Sequence, residues 1–361
     1  MSGRCYIVAN MLPPHFGWHT RAPSLRAEQL AAQARTVFDD VRYLIFQERH
    51  NLLKSQQGFC VLTTAKPDTV VLRRDGFEAF VNRIPKATFV FSQADFVDEA
   101  RLAAGAHTIV YDILAPKALE LEVAGAGIVD VRRYERHHAR MIDVSARVFV
   151  NGRKSQRLFA GDLAEADHCL NPFAPSPSRD VDTAPRTHVM FGGEPQRWTD
   201  SAPMFDAMAS FLAGDPQTPA FMISATPTDT QAVSRAHSAL WLLPNVTAMW
   251  NLSPLNYGEA LARSVGFVDW TPLNRERAYA TSTRVLQAVS AGVPVLHQAG
   301  TGLDEFWDAF PGKALEGPIT PDAIGAFVRD ARAGAFTENV AKAQEAMRLI
   351  GEDGTVFAGL A

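Results

Sequence analysis

The chain has 361 residues, enough for two ordinary domains that each bury a core. With 47% apolar and 20% charged residues it has a globular composition, and no apolar run approaches the roughly 20 residues that span a bilayer. The net charge of −4 excludes a general attraction to nucleic acid. It divides as +3 over residues 1–180 and −7 over the rest. That is ordinary scatter, or an N-terminal half that meets an acidic surface. Cys5, Cys60 and Cys169 are too few and too far apart for a disulfide framework or a zinc pattern.

In chain order, Cys5–Ala9 reads as the first strand of a cytosolic protein; it is too short for a signal sequence. A Pro- and Gly-punctuated loop follows, the place where a Rossmann-like domain approaches its ligand. His15 and His19 stand four apart there, but Gly17 and the prolines deny them a helix, so no metal site is expected. Ser24 is a candidate cap for a helix to about Phe38, with Leu25, Leu30, Ala31 and Ala34 on one face.

Strands are expected at Val41–Phe46, Cys60–Thr64, Ala87–Ser92, Thr108–Ile113 and Val148–Asn151, with helical stretches between most of them. That alternation predicts an α/β fold with a parallel sheet covered on both faces. Asp112, at a strand end, either holds an acceptor hydroxyl or caps the next helix. Gly125-Ala-Gly127 lacks the preceding strand that a dinucleotide fingerprint needs. Arg132, Arg133, Arg136 and Arg140 mark either a solvated helix face or a surface for membrane headgroups. Asn171–Pro185, with four prolines, reads as a semi-rigid linker. Asp180-Val-Asp182 within it has no strand to fix its carboxylates.

The second half opens with a strand at Thr187–Phe191, then Gly192-Gly193, a turn containing Arg197 and a helix at about Ser201–Leu212. Pro203 lies near its start and Gly214 after its end. Strand, paired glycines and helix let backbone N–H groups reach a phosphate, and Arg197 is either a fixed cation on it or an ordinary loop residue. Pro219–Ala225, Val246–Trp250 and Gly266–Trp270 are further strands.

A helix is expected to start at Thr281-Ser282-Thr283, hydroxyls suited to capping, and to stop at Gly292 before a strand at Val293–Leu296. Its N-terminus faces the crevice beyond the strand ends, an anion site by geometry. Arg284 in its first turn opposes the helix dipole unless an anion lies nearby; a solvated surface Arg is the alternative. Gly300–Phe306 and Pro321–Ile350 read as helical.

The run ERAYATSTRVLQAVSAGVPV, Glu276 to Val295, resembles the donor-binding signature of bacterial glycosyltransferases of family 4, which have the GT-B fold. Glu276, Ala280, Thr283 to Leu286, Ala291-Gly292 and Pro294-Val295 carry the match. Ser282 stands where relatives often have Arg, and Gln287 where they have a carboxylate. Weaker likenesses run through Gly17, Arg26, Tyr111–Pro116 with Asp112, Gln156-Arg157, Phe191-Gly-Gly and Asn251–Glu259; the family's later Lys is absent.

The resemblance implies two Rossmann-like domains facing each other across a cleft: residues 1–175 on the acceptor side, 176–345 binding the nucleotide-sugar, and 346–361 as a tail returning to the first. It implies transfer from a nucleotide-diphosphate sugar to a glycan, lipid-linked or small-molecule acceptor, retaining, without a metal or other cofactor. The protein would be cytoplasmic, or peripheral at the inner face of the membrane. Catalytic roles fall to Asp112, Arg197 and Glu276; donor binding to Gly17, Gly192, Gly193, Tyr257, Thr281, Ser282, Thr283 and Arg284; acceptor contacts to Trp18 and His19. The alternatives are a sugar-nucleotide epimerase-like enzyme of the same fold and a non-catalytic nucleotide-sugar-binding relative.

Overall fold

The computed structural model describes residues 3–9, 11, 13–14, 22–46, 68–176, 185–193, 200–224, 239–250 and 252–360. The chain divides into two compact units, Met1–Pro175 with Leu349–Ala361, and Ser176–Arg348. The expected strand Cys60–Thr64 and the Asp180-Val-Asp182 segment lie outside the described residues.

In the first unit seven strands form one sheet. They are β1 (Arg4–Ala9), β2 (Asp40–Phe46), β3 (Thr69–Leu72), β4 (Thr88–Phe91), β5 (Thr108–Ile113), β6 (Arg147–Val150) and β7 (His168–Leu170), in the order β3-β2-β1-β4-β5-β6-β7. Every pairing is parallel. The strands are near-continuous apolar runs because both faces are covered. Along β1, Tyr6 and Val8 enter one core with Phe89, Phe91 and Tyr111, while Cys5, Ile7 and Ala9 enter the other with Ile45 and Phe149. This is the two-residue period of a strand.

Helix α1 (Ala22–Ala34) covers the second face together with the C-terminal turn Gly354–Phe357, whose Phe357 ring meets Phe38 and Phe149 edge-on. Ser24 does not cap this helix. It is a buried residue of its first turn, beside Pro23, whose fixed φ suits a helix start. The other described helices of this unit are α2 (Phe77–Val81), α3 (Val97–Ala104), α4 (Lys117–Val123), α5 (Ile128–Val144) and α6 (Arg153–Leu158). Asn171–Ala174 is no linker. Its backbone is buried and bonded to Arg26, Gln29 and Asn151, so it belongs to the first unit.

The second unit holds a six-stranded sheet in the order β10-β9-β8-β11-β12-β13. The strands are β8 (His188–Gly192), β9 (Ala220–Ser224), β10 (Val246–Trp250), β11 (Ser264–Asp269), β12 (Val295–Gln298) and β13 (Gly312–Leu315), all parallel. The helices are α7 (Ala202–Gly214), α8 (Pro254–Ala262), α9 (Thr283–Ser290), α10 (Pro321–Arg332) and α11 (Thr337–Glu352). The expected helix Pro321–Ile350 is thus two helices, broken at Gly334, where φ is +77°. Met204, Phe205, Met208, Phe191, Met222 and Phe327 build a core on one face of the sheet. Strands β3, β7 and β13, which the sequence pattern did not mark, are short sheet members with partly buried or exposed residues, so their apolar signal is weak.

Helix α9 stops as its sequence dictates. Gly292, at φ +74°, donates to Val289 O, and Val293 N–H reaches back to Ala288 O, a Schellman ending. The Arg186 guanidinium donates to the Ala291 and Gly292 carbonyls, a cation at the negative end of the helix.

Candidate functional site

Both sheets reverse strand order beside their first strand, and in the second unit that reversal falls between β8 and β11. Ligands of open α/β sheets bind beyond the carboxyl ends of the strands at such a point. Gly192-Gly193 lies at the end of β8, and Asp269 closes β11.

Asp269 is the hub. Its side chain is 1% exposed, and Oδ1 accepts from Arg284 Nη2 at 2.7 Å and Nε at 3.2 Å. Ser282 donates its hydroxyl to Oδ2. Burial pushes the carboxyl up, but Arg284 foremost, helped by the Ser282 hydroxyl, outweighs it and holds Asp269 ionised well below the usual carboxylate range. On the neighbouring strand, in register with Asp269, His297 donates Nδ1–H to the Asp269 carbonyl at 2.5 Å. That leaves its Nε2 to accept from Thr301 Oγ1 at 3.3 Å. Burial lowers the imidazole to about 4, so it is neutral at pH 7.

Ser282 therefore does not cap α9. It occupies the cap position but turns its hydroxyl to Asp269 and makes no capping bond to the helix start. Thr283 opens the helix and Thr281 lies two residues before it. Arg284, which as a lone cation would oppose the dipole, is reconciled by its ion pair with Asp269.

Gly192 and Gly193 have φ of +101° and +145°. Gly193 N–H is taken by Ile223 O at 2.8 Å, so this amide is not offered to a phosphate as its position suggested. The pair permits close approach instead. A Cβ on Gly193 would stand 2.7 Å from Arg284 Nε and closer to Cζ and Nη1; one on Gly192 would run into the Ile223 carbonyl. The guanidinium of Arg284 thus lies against Gly193, just past the end of β8.

Glu276 is 2% exposed and sits in the turn before α9, where its carbonyl accepts from Tyr279 and Ala280. Tyr257, on α8, is 6% exposed; burial raises its phenol, which also feels the charges of Arg284 and Asp269, and its hydroxyl has no hydrogen-bond partner among the described residues. Gly17, Trp18, His19 and Arg197 lie outside the described residues.

Asp112 requires a correction. It is 0% exposed, and its two oxygens accept from Arg26 Nη2 at 2.5 Å and Nε at 3.0 Å. Arg26 also donates to Gln29 and to the carbonyls of Asn171 and Pro172. A carboxylate with both oxygens engaged and no exposed surface neither holds an acceptor hydroxyl nor caps a helix; it ties α1 to β5. On α5, Arg132, Arg133, Arg136 and Arg140 are exposed, while His138 turns inward to Tyr111 at 2.9 Å.

Asp269 and His297 were not singled out from the sequence. Their signal was present: each is a lone ionisable residue in an apolar strand, at its carboxyl end.

No model of a protein family matches the chain, and no curated protein matches it in sequence. Solved structures match at full length. Anabaena HepE in complex with UDP and glucose is 12% identical, with a TM-score of 0.63 over 99% of this chain and 97% of that one. AviGT4, a glycosyltransferase involved in avilamycin A biosynthesis, is 12% identical, with a TM-score of 0.63 over 99% and 95%. A Listeria monocytogenes protein provisionally named UDP-N-acetylglucosamine 2-epimerase is 10% identical, with a TM-score of 0.58 over 99% and 94%. At these identities the likeness is one of fold: two Rossmann-like units of the GT-B class.

Proposed function

We propose that this chain transfers a sugar from a nucleotide-diphosphate sugar to an acceptor hydroxyl, with the second unit holding the donor. One observation carries the reading. At the strand-order reversal, ionised Asp269 pins the Arg284 guanidinium over Gly193 and draws the Ser282 hydroxyl away from the start of α9. A fixed cation and a helix start that Ser282 does not cap suit a diphosphate. As the glycosidic bond breaks, charge grows on that leaving group, and groups already in place stabilise it without reorganising.

In this scheme Glu276 holds hydroxyls of the sugar, and retention at the anomeric carbon follows; the support for both is the likeness of residues 276–295 to the family 4 signature. Arg284 and the helix start supply the positive charge, so chelators leave activity unchanged. The exposed arginines of α5, with Ile128 and Val129 exposed at its start, support peripheral contact with an anionic membrane. The acceptor is a glycan, a lipid-linked sugar or a small molecule.

The test is a thermal-shift screen of the purified chain against nucleoside diphosphates and their sugars, followed by turnover of the donor that binds. Transfer or hydrolysis releases a nucleoside diphosphate, whereas epimerisation keeps the linkage intact. Arg284→Ala and Glu276→Ala each lower turnover by about 100-fold with the fold retained. Wild-type turnover in Arg284→Ala, or no shift with any nucleoside diphosphate, would reject the reading.

A further inference from the structure

Arg277 lies in the turn between β11 and α9, and nothing above uses it. Its backbone is fixed: N–H donates to Asn274 Oδ1 at 2.9 Å, and the carbonyl accepts from Gly302 at 3.3 Å. The residue is 7% exposed, its Nε has no hydrogen-bond partner, and its guanidinium enters no ion pair among the described residues. A donor buried like this Nε is costly to leave without an acceptor. The carbonyl of Arg277 is bonded to Gly302, the chain neighbour of Thr301, whose hydroxyl meets His297, and the charge of Arg277 favours ionised Asp269 and opposes protonation of His297. Two more buried hydroxyls, those of Thr271 just past the end of β11 and of Tyr257 on α8, have no hydrogen-bond partner among the described residues.

We infer that Arg277 is a second anion ligand of this site and takes an oxyanion of the donor, from its diphosphate or from a carboxylate on its sugar, an assignment that rests on the donor reading above. Arg277 and Arg284 together then supply two cations to the donor.

Calorimetric titration of the full chain, wild type and Arg277→Met, tests this with inorganic pyrophosphate, UDP, GDP, ADP, UDP-glucose and UDP-glucuronate. Methionine keeps much of the apolar stem and removes the charge. If Arg277 grips the diphosphate, Kd rises about 10- to 100-fold for every ligand that the wild type binds. If it grips a sugar carboxylate, only UDP-glucuronate weakens. Either result supports the assignment. Arg277→Lys, which keeps the charge, retains part of the affinity and serves where the Met variant fails to fold. Binding of pyrophosphate that depends on Arg277, with no nucleotide bound, would keep the anion site and remove the donor reading. Unchanged Kd values in the variants, or a wild type that binds none of the six, would overturn the assignment.

Discussion

Gly193→Ala separates the site from the fold. A methyl group there would press on the Arg284 guanidinium, with Nε 2.7 Å from the new carbon. The obstructing atoms are the far end of a long side chain, so the guanidinium moves and the sheet stays. Moving it breaks the 2.7 Å charge-assisted bond to Asp269 and takes the cation from the start of α9. Hydrogen bonds to charged groups contribute about 1.5–3 kcal/mol, or roughly 10- to 100-fold in the Kd for a nucleoside diphosphate.

The strained φ of +145° adds about 1–3 kcal/mol of destabilisation, which appears in the melting temperature rather than in Kd. Calorimetric titration of wild type, Gly193→Ala, Arg284→Ala and the double variant isolates the coupling. If the methyl acts through Arg284, the double variant binds no more weakly than Arg284→Ala. Fully additive losses, or wild-type affinity in Gly193→Ala, would refute the reasoning.

Gly192→Ala behaves differently, because its obstruction is the Ile223 backbone carbonyl, which cannot move without opening the β8–β9 pairing. A loss of at least about 2 kcal/mol in urea unfolding is expected, and an unchanged midpoint would count against it. Asp112→Asn leaves the Arg26 guanidinium buried without its counter-charge and costs about 3–5 kcal/mol, whereas a cost below about 1 kcal/mol would show the tie to be idle. Acid should weaken the fold well before carboxylates titrate. Burial lowers His138 and His297 to about 4. Unfolded chains bind those protons near pH 6.5, so stability present above that value falls as pH drops from about 6.5 to 4, by about 3 kcal/mol per histidine. Protonation of Asp269, whose value is depressed, removes more below about pH 4. Urea midpoints at pH 7.5 and 5 measure this; equal midpoints would contradict it, and His138→Phe flattens the slope.

The sequence by itself determined the α/β class, most strands of both sheets and the stop of α9 at Gly292. These depend on local matters: apolar runs, the 3.6-residue face of a helix, and a glycine where the backbone must turn left-handed. It also drew attention to Arg284 and Gly193, which the fold brings together from 91 positions apart. Only the tertiary structure decided what those residues touch. Asp112 is claimed by Arg26 from 86 positions away, Ser282 gives its hydroxyl to Asp269, and the buried Nε of Arg277 finds no hydrogen-bond partner among the described residues. A side chain's partner is chosen by which strand ends the parallel topology sets side by side, and no periodicity along the chain encodes that choice.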